Sequence, residues 1–163
     1  MLTEIKHPDS ASEIAALHAD IFPPEQAWSA ADFVTLLTQN STEILGLRNG
    51  SKLAAIAVFR LIQPQAELLT FGVGTFWQRQ GFAQALLDQS MRHLASLKIE
   101  QVILDVAADN TAAISLYAQF GFTEDGRRQN YYRRRDTTAI DAILMSKNIF
   151  NSLLSSVDRQ TRI

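Results

Sequence analysis

Gln78-Arg79-Gln80-Gly81-Phe82-Ala83 marks a change of texture in the chain. Before it, Ala66-Glu67-Leu68-Leu69-Thr70-Phe71-Gly72-Val73-Gly74 is an apolar, strand-like run. After it, Ala83, Leu86, Leu87, Ser90, Met91, Leu94 and Leu97 recur at three- and four-residue steps, the spacing of one helix face. A helix therefore starts near Gly81, directly after a strand. The first turn of such a helix has N–H groups with no intrahelical acceptor, and aligned peptide dipoles add positive partial charge there. That suits the loop to an anion such as a phosphate, which a glycine allows to approach closely. One glycine in a strand-to-helix loop is equally an ordinary turn. The stretch has neither the Gly-Lys-Ser/Thr of a P-loop nor the three glycines of the dinucleotide fingerprint.

On either side of this loop the chain reads as alternating strands and helices. Leu2–Lys6 makes a short first strand, and Ser10-Ala11-Ser12-Glu13 has the form of a capping box opening a helix whose stripe is Ile14, Leu17, Ile21 and Phe22. Pro23-Pro24 ends it. A second helix is expected from Ser29, with Asp32 in its first turn and Phe33, Leu36 and Leu37 inward. Asn49-Gly50 between two apolar runs predicts a hairpin. Pro64 closes its second strand, and Glu67–Val73 forms a third. After the Gly81 helix, Gln101-Val102-Ile103-Leu104-Asp105-Val106 predicts a central strand covered on both faces, reached by a right-handed parallel crossover. Asn110 caps a helix with Ala113, Leu116, Tyr117 and Phe120 on its apolar side, which stops at Gly121. Phe122–Asp125 and Ala139–Met145 follow as two strands joined by an arginine-rich connection. The expected architecture is a mixed α/β (α+β) sheet of about seven strands, mostly antiparallel, with helices on both faces. Residues 1–147 form a single domain, and 148–163 a polar tail in which Leu153 and Leu154 allow a short helix.

Composition narrows the function classes. The chain has 163 residues, enough to bury a core unaided by metal or disulfide. With a formal net charge of −2 it is not a general nucleic-acid coat, and no nucleic-acid partner is expected. It contains no cysteine, which removes disulfides, thiolate metal sites and a cysteine nucleophile and is compatible with a reducing cytoplasm. No apolar run approaches the roughly 18 to 20 residues that span a bilayer. Glu4 and Lys6 occupy the place of a signal peptide's apolar core, so neither a membrane anchor nor a secretory leader is expected. His7, His18 and His93 have no ligand spacing, and no metal site is expected.

The loop Gln78-x-x-Gly81-x-Ala83, followed by the Asp105 strand and by Asn110-x-x-Ala113-x-x-x-Tyr117-x-x-x-Gly121-Phe122, resembles the GNAT family of acyl-CoA-dependent N-acetyltransferases. Either motif alone is suggestive, whereas both in order with one helix and one strand between them are specific. The likeness runs through Arg127-Arg128-Gln129-Asn130-Tyr131-Tyr132 and Asp141-Ala142-Ile143-Leu144-Met145. Those segments look like the branch that acetylates the N-terminal alanine of a ribosomal protein. Two positions depart from the family pattern. Gly74-Thr75-Phe76 stands where a proline and an acid are usual, and Asp105 stands where the branch carries glutamate.

The resemblance implies acetyl-CoA as co-substrate. Its pyrophosphate would lie on the amides of Gln78, Arg79, Gln80, Gly81, Phe82 and Ala83, and its pantetheine arm beside Phe71, Gly72 and Val73. It also implies a primary amine as acceptor, with a protein N-terminus preferred over a lysine side chain, an aminoglycoside, a polyamine or another small amine. A non-catalytic CoA-binding module is the rival from another class. An α-amine with a pKa of about 8 is mostly protonated near neutrality and must lose a proton to attack. Asp105 is the base expected from the motif, acting through a bridging water because it is one methylene short, and Glu67 is held in reserve. Burial in an apolar strand would adjust the Asp105 carboxyl for this task. Tyr117 is the expected acid for the departing thiolate, and Asn110 serves as cap and cofactor contact. Trp28, Tyr131 and Tyr132 either wall the acceptor slot or pack the fold. Arg127, Arg128, Arg133, Arg134 and Arg135 either attract an anion or form a solvated hairpin.

Overall fold

The computed structural model describes residues 1–132 and 139–150. Four helices and seven strands follow one another as β1 (Leu2–Glu4), α1 (Ala11–Ile21), α2 (Ala30–Leu37), β2 (Thr42–Asn49), β3 (Lys52–Ile62), β4 (Gln65–Val73), α3 (Phe82–Ser96), β5 (Gln101–Ala107), α4 (Thr111–Gln119), β6 (Thr123–Tyr132) and β7 (Ile140–Asn148). This is the element order anticipated from the sequence. The strands make one open sheet in the order β1-β2-β3-β4-β5-β7-β6. Contacts divide the chain into a first unit of residues 1–62 and 68–94 and a second of residues 63–67 and 95–163.

In the first unit β2 pairs antiparallel with both β1 and β3. The hairpin stands where Asn49-Gly50 predicts it, but Asn49 belongs to the strand opposite Lys52, so Gly50 and Ser51 make the turn. Gly50 has φ +59, the left-handed conformation that the first central residue of such a turn requires. Leu53 through Phe59 are all buried. The alanines at 54, 55 and 57 give β3 the low relief that permits covering on both faces. That is the role expected of β5, whose residues instead alternate between buried and half-buried. The strand after α3 therefore keeps one accessible face, on which Asp105 lies.

The helices of this unit follow their local signals with one exception. Ser29 caps α2, accepting from the Asp32 amide while Asp32 Oδ2 accepts from the Ser29 amide at 2.7 Å, a complete capping box. The box expected at Ser10–Glu13 does not form. Ser10 lies in a short 3₁₀ turn, Pro8–Ser10, with helical backbone angles and makes no side-chain cap. Glu13 turns instead to the Arg48 guanidinium in a two-pronged pair of 2.5 and 2.8 Å. Ile14 of α1 and Phe33 of α2 are fully buried with Ile44, Ile56 and Val58.

The second unit is built on β7, antiparallel to β5 on one side and to β6 on the other. The strand β6 reaches Tyr132, so Arg127 and Arg128 lie within it and not in the connection to β7. Its sequence, Thr-Glu-Asp-Gly-Arg-Arg-Gln-Asn-Tyr-Tyr, is mostly exposed and carries no apolar alternation, which hid the strand. Arg133, Arg134 and Arg135, and the tail with Leu153 and Leu154, lie outside the described residues. β7 extends to Asn148, and Ile149 behind it is buried.

His18 is the one buried histidine of the described core, 1% exposed. Its ring stacks on Trp28 at 5.1 Å and meets the edge of Phe33. Its Nδ1 accepts from the Trp28 amide at 3.1 Å, so the proton resides on Nε2, which faces Thr70 Oγ1 at 3.2 Å. Burial pushes the imidazole down from 6.5 to about 4. Between those values the unfolded chain binds the proton and the folded chain does not, so stability is full above pH 6.5 and falls as pH drops toward 4. The contribution is on the order of 2 kcal/mol after allowance for solvent screening. Urea midpoints of His18→Leu should accordingly change less between pH 7 and pH 4.5 than those of the wild type. An unchanged pH dependence would show that His18 does not carry it.

Candidate active site

The first unit contributes the loop between β4 and α3. A 3₁₀ turn, Thr75–Trp77, leads from the end of β4 into extended Gln78, after which Arg79 has φ +61 and Gly81 φ +86. Ala85 N–H is the amide that bonds Gly81 O, at 3.0 Å, so the amides of Phe82, Ala83 and Gln84 precede the helical ladder. Side chains fold back to hold this course. Gln78 Nε2 donates to Val73 O at 3.2 Å, and Gln80 Nε2 donates to Phe76 O at 2.8 Å. A Cβ placed on Gly81 would meet nothing within 4 Å, so space is open there. Gly81 is required for its backbone angle and not for close packing.

Asp20 of α1 tethers the start of this loop, accepting from the Thr75 amide at 2.7 Å and from its hydroxyl. An acid contributed 55 residues away thus takes up Thr75, where the family pattern has an acid nearby in sequence. No local signal points to Asp20. Of the expected pantetheine strand, Phe71 is half-buried, whereas Gly72 and Val73 are buried. Trp28 packs in this unit against His18 and Phe33, and its half-buried ring is part of the core cluster around Ile14.

The second unit brings together Glu67, Asp105, Asp125 and Arg128 around a cleft of about 130 Å³ whose apolar lining includes Ile103 and Met145. Asp105 and Gly126 both stand opposite Leu144 of β7, one on each side, and so point to the same face. Arg128, two residues beyond Gly126, reaches back to place Nη1 3.4 Å from Asp105 Oδ2. The Asp105 side chain is 23% exposed, so the carboxylate is not shut among apolar residues as its strand suggests: it faces a cleft and a guanidinium.

Two irregularities of β6 build this arrangement. Glu124 pairs with Met145 and Gly126 with Leu144, leaving Asp125 as an extra residue on the cleft. Between Arg128 and Tyr132 the strand carries extra residues, with Asn130 at φ +54 and its amide held by Asp141 Oδ1 at 2.9 Å. Bulges of this kind re-aim side chains. Here Tyr131 comes under the Arg128 guanidinium, 5.3 Å from ring centroid to Cζ, and the Tyr132 hydroxyl donates to the Asp105 carbonyl at 3.3 Å. Burial foremost, with the Asp105 charge second, pushes the Tyr132 phenol up to about 12.

Tyr117 lies two turns into α4, 6% exposed, and burial holds its phenol well above the usual range, so it keeps its proton at neutral pH. Its ring meets Phe122 at 5.6 Å. Asn110 caps α4 as expected, its Oδ1 accepting from Ala113 N–H at 3.2 Å. The second unit therefore offers a carboxylate, a protonated phenol and an acidic cleft. The first offers a row of helix-starting amides. Among the described residues one mixed cluster, Glu4, Glu43 and His93, has metal-ligand atoms close together; it lies in the first unit, where Lys6 and His93 pair with Glu43. No described helix is long and apolar enough to cross a membrane.

The profile of the Acetyltransferase (GNAT) family matches residues 11–122. The chain is 33% identical over 132 residues to the [ribosomal protein bS18]-alanine N-acetyltransferase of Escherichia coli K12, covering 81% of this chain and 88% of that one. It is 32% identical over 142 residues to the N-alpha-acetyltransferase RimI of Mycobacterium tuberculosis, covering 85% and 86%. The crystal structure of the ribosomal-protein-S18-alanine N-acetyltransferase from Escherichia coli superposes with a TM-score of 0.82 at 29% identity, covering 91% and 94%. The chain belongs to the GNAT family of N-acetyltransferases.

Proposed function

We propose that this enzyme transfers acetyl from acetyl-CoA to the N-terminal amine of a protein, preferentially an N-terminal alanine of a ribosomal protein. The observation that carries the acceptor is the likeness to the bS18-alanine N-acetyltransferase over four-fifths of the chain. Family membership and the amide-rich start of α3 support acetyl-CoA as the donor. Residues 1–147 act as one catalytic domain.

In this reading the amides of Gln78–Ala83 hold the pyrophosphate, where charge-assisted hydrogen bonds to oriented N–H groups are strong. The pantetheine arm runs along Phe71, Gly72 and Val73, and Asn110 contacts the cofactor in addition to capping α4. Asp105, directly or through a water, takes one proton from the acceptor ammonium. The neutral nitrogen attacks the thioester carbonyl carbon, the new C–N bond forms, and the C–S bond breaks as the tetrahedral intermediate collapses. The CoA thiolate leaves with a proton, for which Tyr117, kept protonated by burial, is the donor. The amide nitrogen sheds its remaining proton to solvent. Glu67 and Tyr131 lie on the acceptor side, with Trp28 supporting the α1–α2 loop.

The departure at Asp105 leaves a specific second reading, a CoA-binding module that no longer transfers. Thiol release from acetyl-CoA separates the two. A panel of peptides with free N-terminal Ala, Ser, Gly or Met, N-blocked lysine peptides, aminoglycosides and polyamines should give selective turnover with the free Ala terminus. Turnover confined to lysine or a small amine would reassign the acceptor. CoA binding without turnover on any amine would favour the non-catalytic module.

Two substitutions test the assigned roles. Tyr117→Phe should lower kcat by roughly ten- to a thousandfold with CoA affinity nearly intact, the loss expected when a positioned acid is removed. Unchanged turnover would remove Tyr117 from the mechanism. Asp105→Asn should lower kcat by roughly a hundredfold or more, the range for a general base. Wild-type turnover in that variant would move the base to Glu67 or to a chain of waters.

A further inference from the structure

The guanidinium of Arg128 lies between a carboxylate and an aromatic face, 3.4 Å from Asp105 Oδ2 and 5.3 Å from the centre of the Tyr131 ring. That is a complete cation site, since an ammonium or guanidinium is held by a carboxylate on one side and by the ring quadrupole on the other. We propose that this is the ammonium subsite of the acceptor, occupied in the free protein by Arg128, and that an acceptor binds by displacing that side chain.

Three observations carry the proposal beyond a surface ion pair. The surroundings are built: the extra residues of β6 that set Tyr131 beside Arg128 are fixed by the bond from Asn130 N–H to Asp141 Oδ1. The cleft is acidic, with Glu67, Asp105 and Asp125 against one basic side chain, Arg128, among its described lining residues. When Arg128 leaves, a cation of similar reach restores the local balance. Arg128 can also leave at low cost. Its side chain is 52% exposed, and an exposed pair of this kind contributes little. A neutral amine or an anionic acceptor would have to break the same pair with no charge to put in its place. Arg128 is therefore a specificity-determining residue that screens acceptors for positive charge.

The inference rests on the acetyl-transfer reading for the identity of the acceptor, but its test does not need turnover. Isothermal titration of Ala-Ala-Ala amide into the full chain saturated with CoA measures binding without reaction. Arg128→Met, which keeps the apolar reach and removes the cation, should bind this peptide roughly two- to fivefold more tightly than wild type, the factor set by the exposed pair it no longer has to break. Arg128→Lys should stay within about twofold of wild type, since it restores the competing charge. The N-acetylated peptide, which carries no cation, should gain nothing from Arg128→Met. In turnover the same change should appear in KM and not as a rise in kcat.

Equal or weaker binding of the free-amine peptide to Arg128→Met would overturn the proposal, as would an equal gain for the acetylated one. Loss of affinity in particular would make Arg128 a direct contact of the acceptor. Thiol release is scored separately. Tight binding with no release on any amine would sink the acetyl-transfer reading while leaving the cation subsite in place.

Discussion

The backbone course of residues 78–81 is the constraint on which the passage from β4 into α3, and with it the exposed start of that helix, depends. Two residues in the left-handed region within three positions, Arg79 and Gly81, turn the chain out of β4 and into α3. Only Gly81 does so without a steric cost. A residue with a Cβ at Arg79 costs about 1–2 kcal/mol. That strain is tolerated because Gln78 and Gln80 tie the turn back onto Val73 and Phe76, and because Asp20 anchors Thr75 ahead of it. The result is a 15-residue helix that begins abruptly, with open space beside Gly81 at its start. Backbone strain held in place by surrounding bonds is the pattern expected of a binding loop.

The second unit is organised by a different device, a mostly exposed strand made irregular twice. A regular β6 would have spaced its side chains evenly along β7. The bulge at Asp125 adds a carboxylate to the cleft, and the one before Tyr132 gathers Arg128, Tyr131 and the Tyr132 hydroxyl around Asp105. An aspartate in place of the usual glutamate fits this crowding. A shorter carboxylate leaves room for the guanidinium, and in the proposed mechanism for a water. Tyr117 stands apart in character, buried and with its phenol held protonated at neutral pH by that burial.

Much of this was legible in the chain because the informative signals are local. The strand–glycine–helix sequence around Gly81 and the caps at Asn110 and Ser29 each depend on residues within a few positions, and each stands where the sequence places it; the full box that Asp32 closes with Ser29 goes beyond the first-turn charge expected of it. What was not legible depends on partners distant in sequence. Glu13 has the spacing of a capping-box acid but is drawn to Arg48, 35 residues away, and nothing local announces it. Asp20 reaches Thr75 in the same way. His18 looks unremarkable in sequence yet is buried, because the Trp28 amide and Thr70 satisfy both ring nitrogens. Nothing in the sequence extends β6 as far as Tyr132, because an exposed strand needs no apolar alternation. The same holds for the placement of Arg128 against Asp105, which only the β7 register brings together.

The claim that joins these observations is that the amides beginning α3 hold the cofactor's pyrophosphate. Titration of CoA into wild type and into Gly81→Val tests it most directly, with circular dichroism confirming that the variant remains folded. A β-branched residue cannot comfortably take φ +86, so the amides of the loop would be turned away from a common point. The account predicts that the variant loses at least about tenfold in CoA affinity, the equivalent of one charge-assisted hydrogen bond or more. Wild-type affinity in a folded Gly81→Val protein would contradict it and place the cofactor elsewhere.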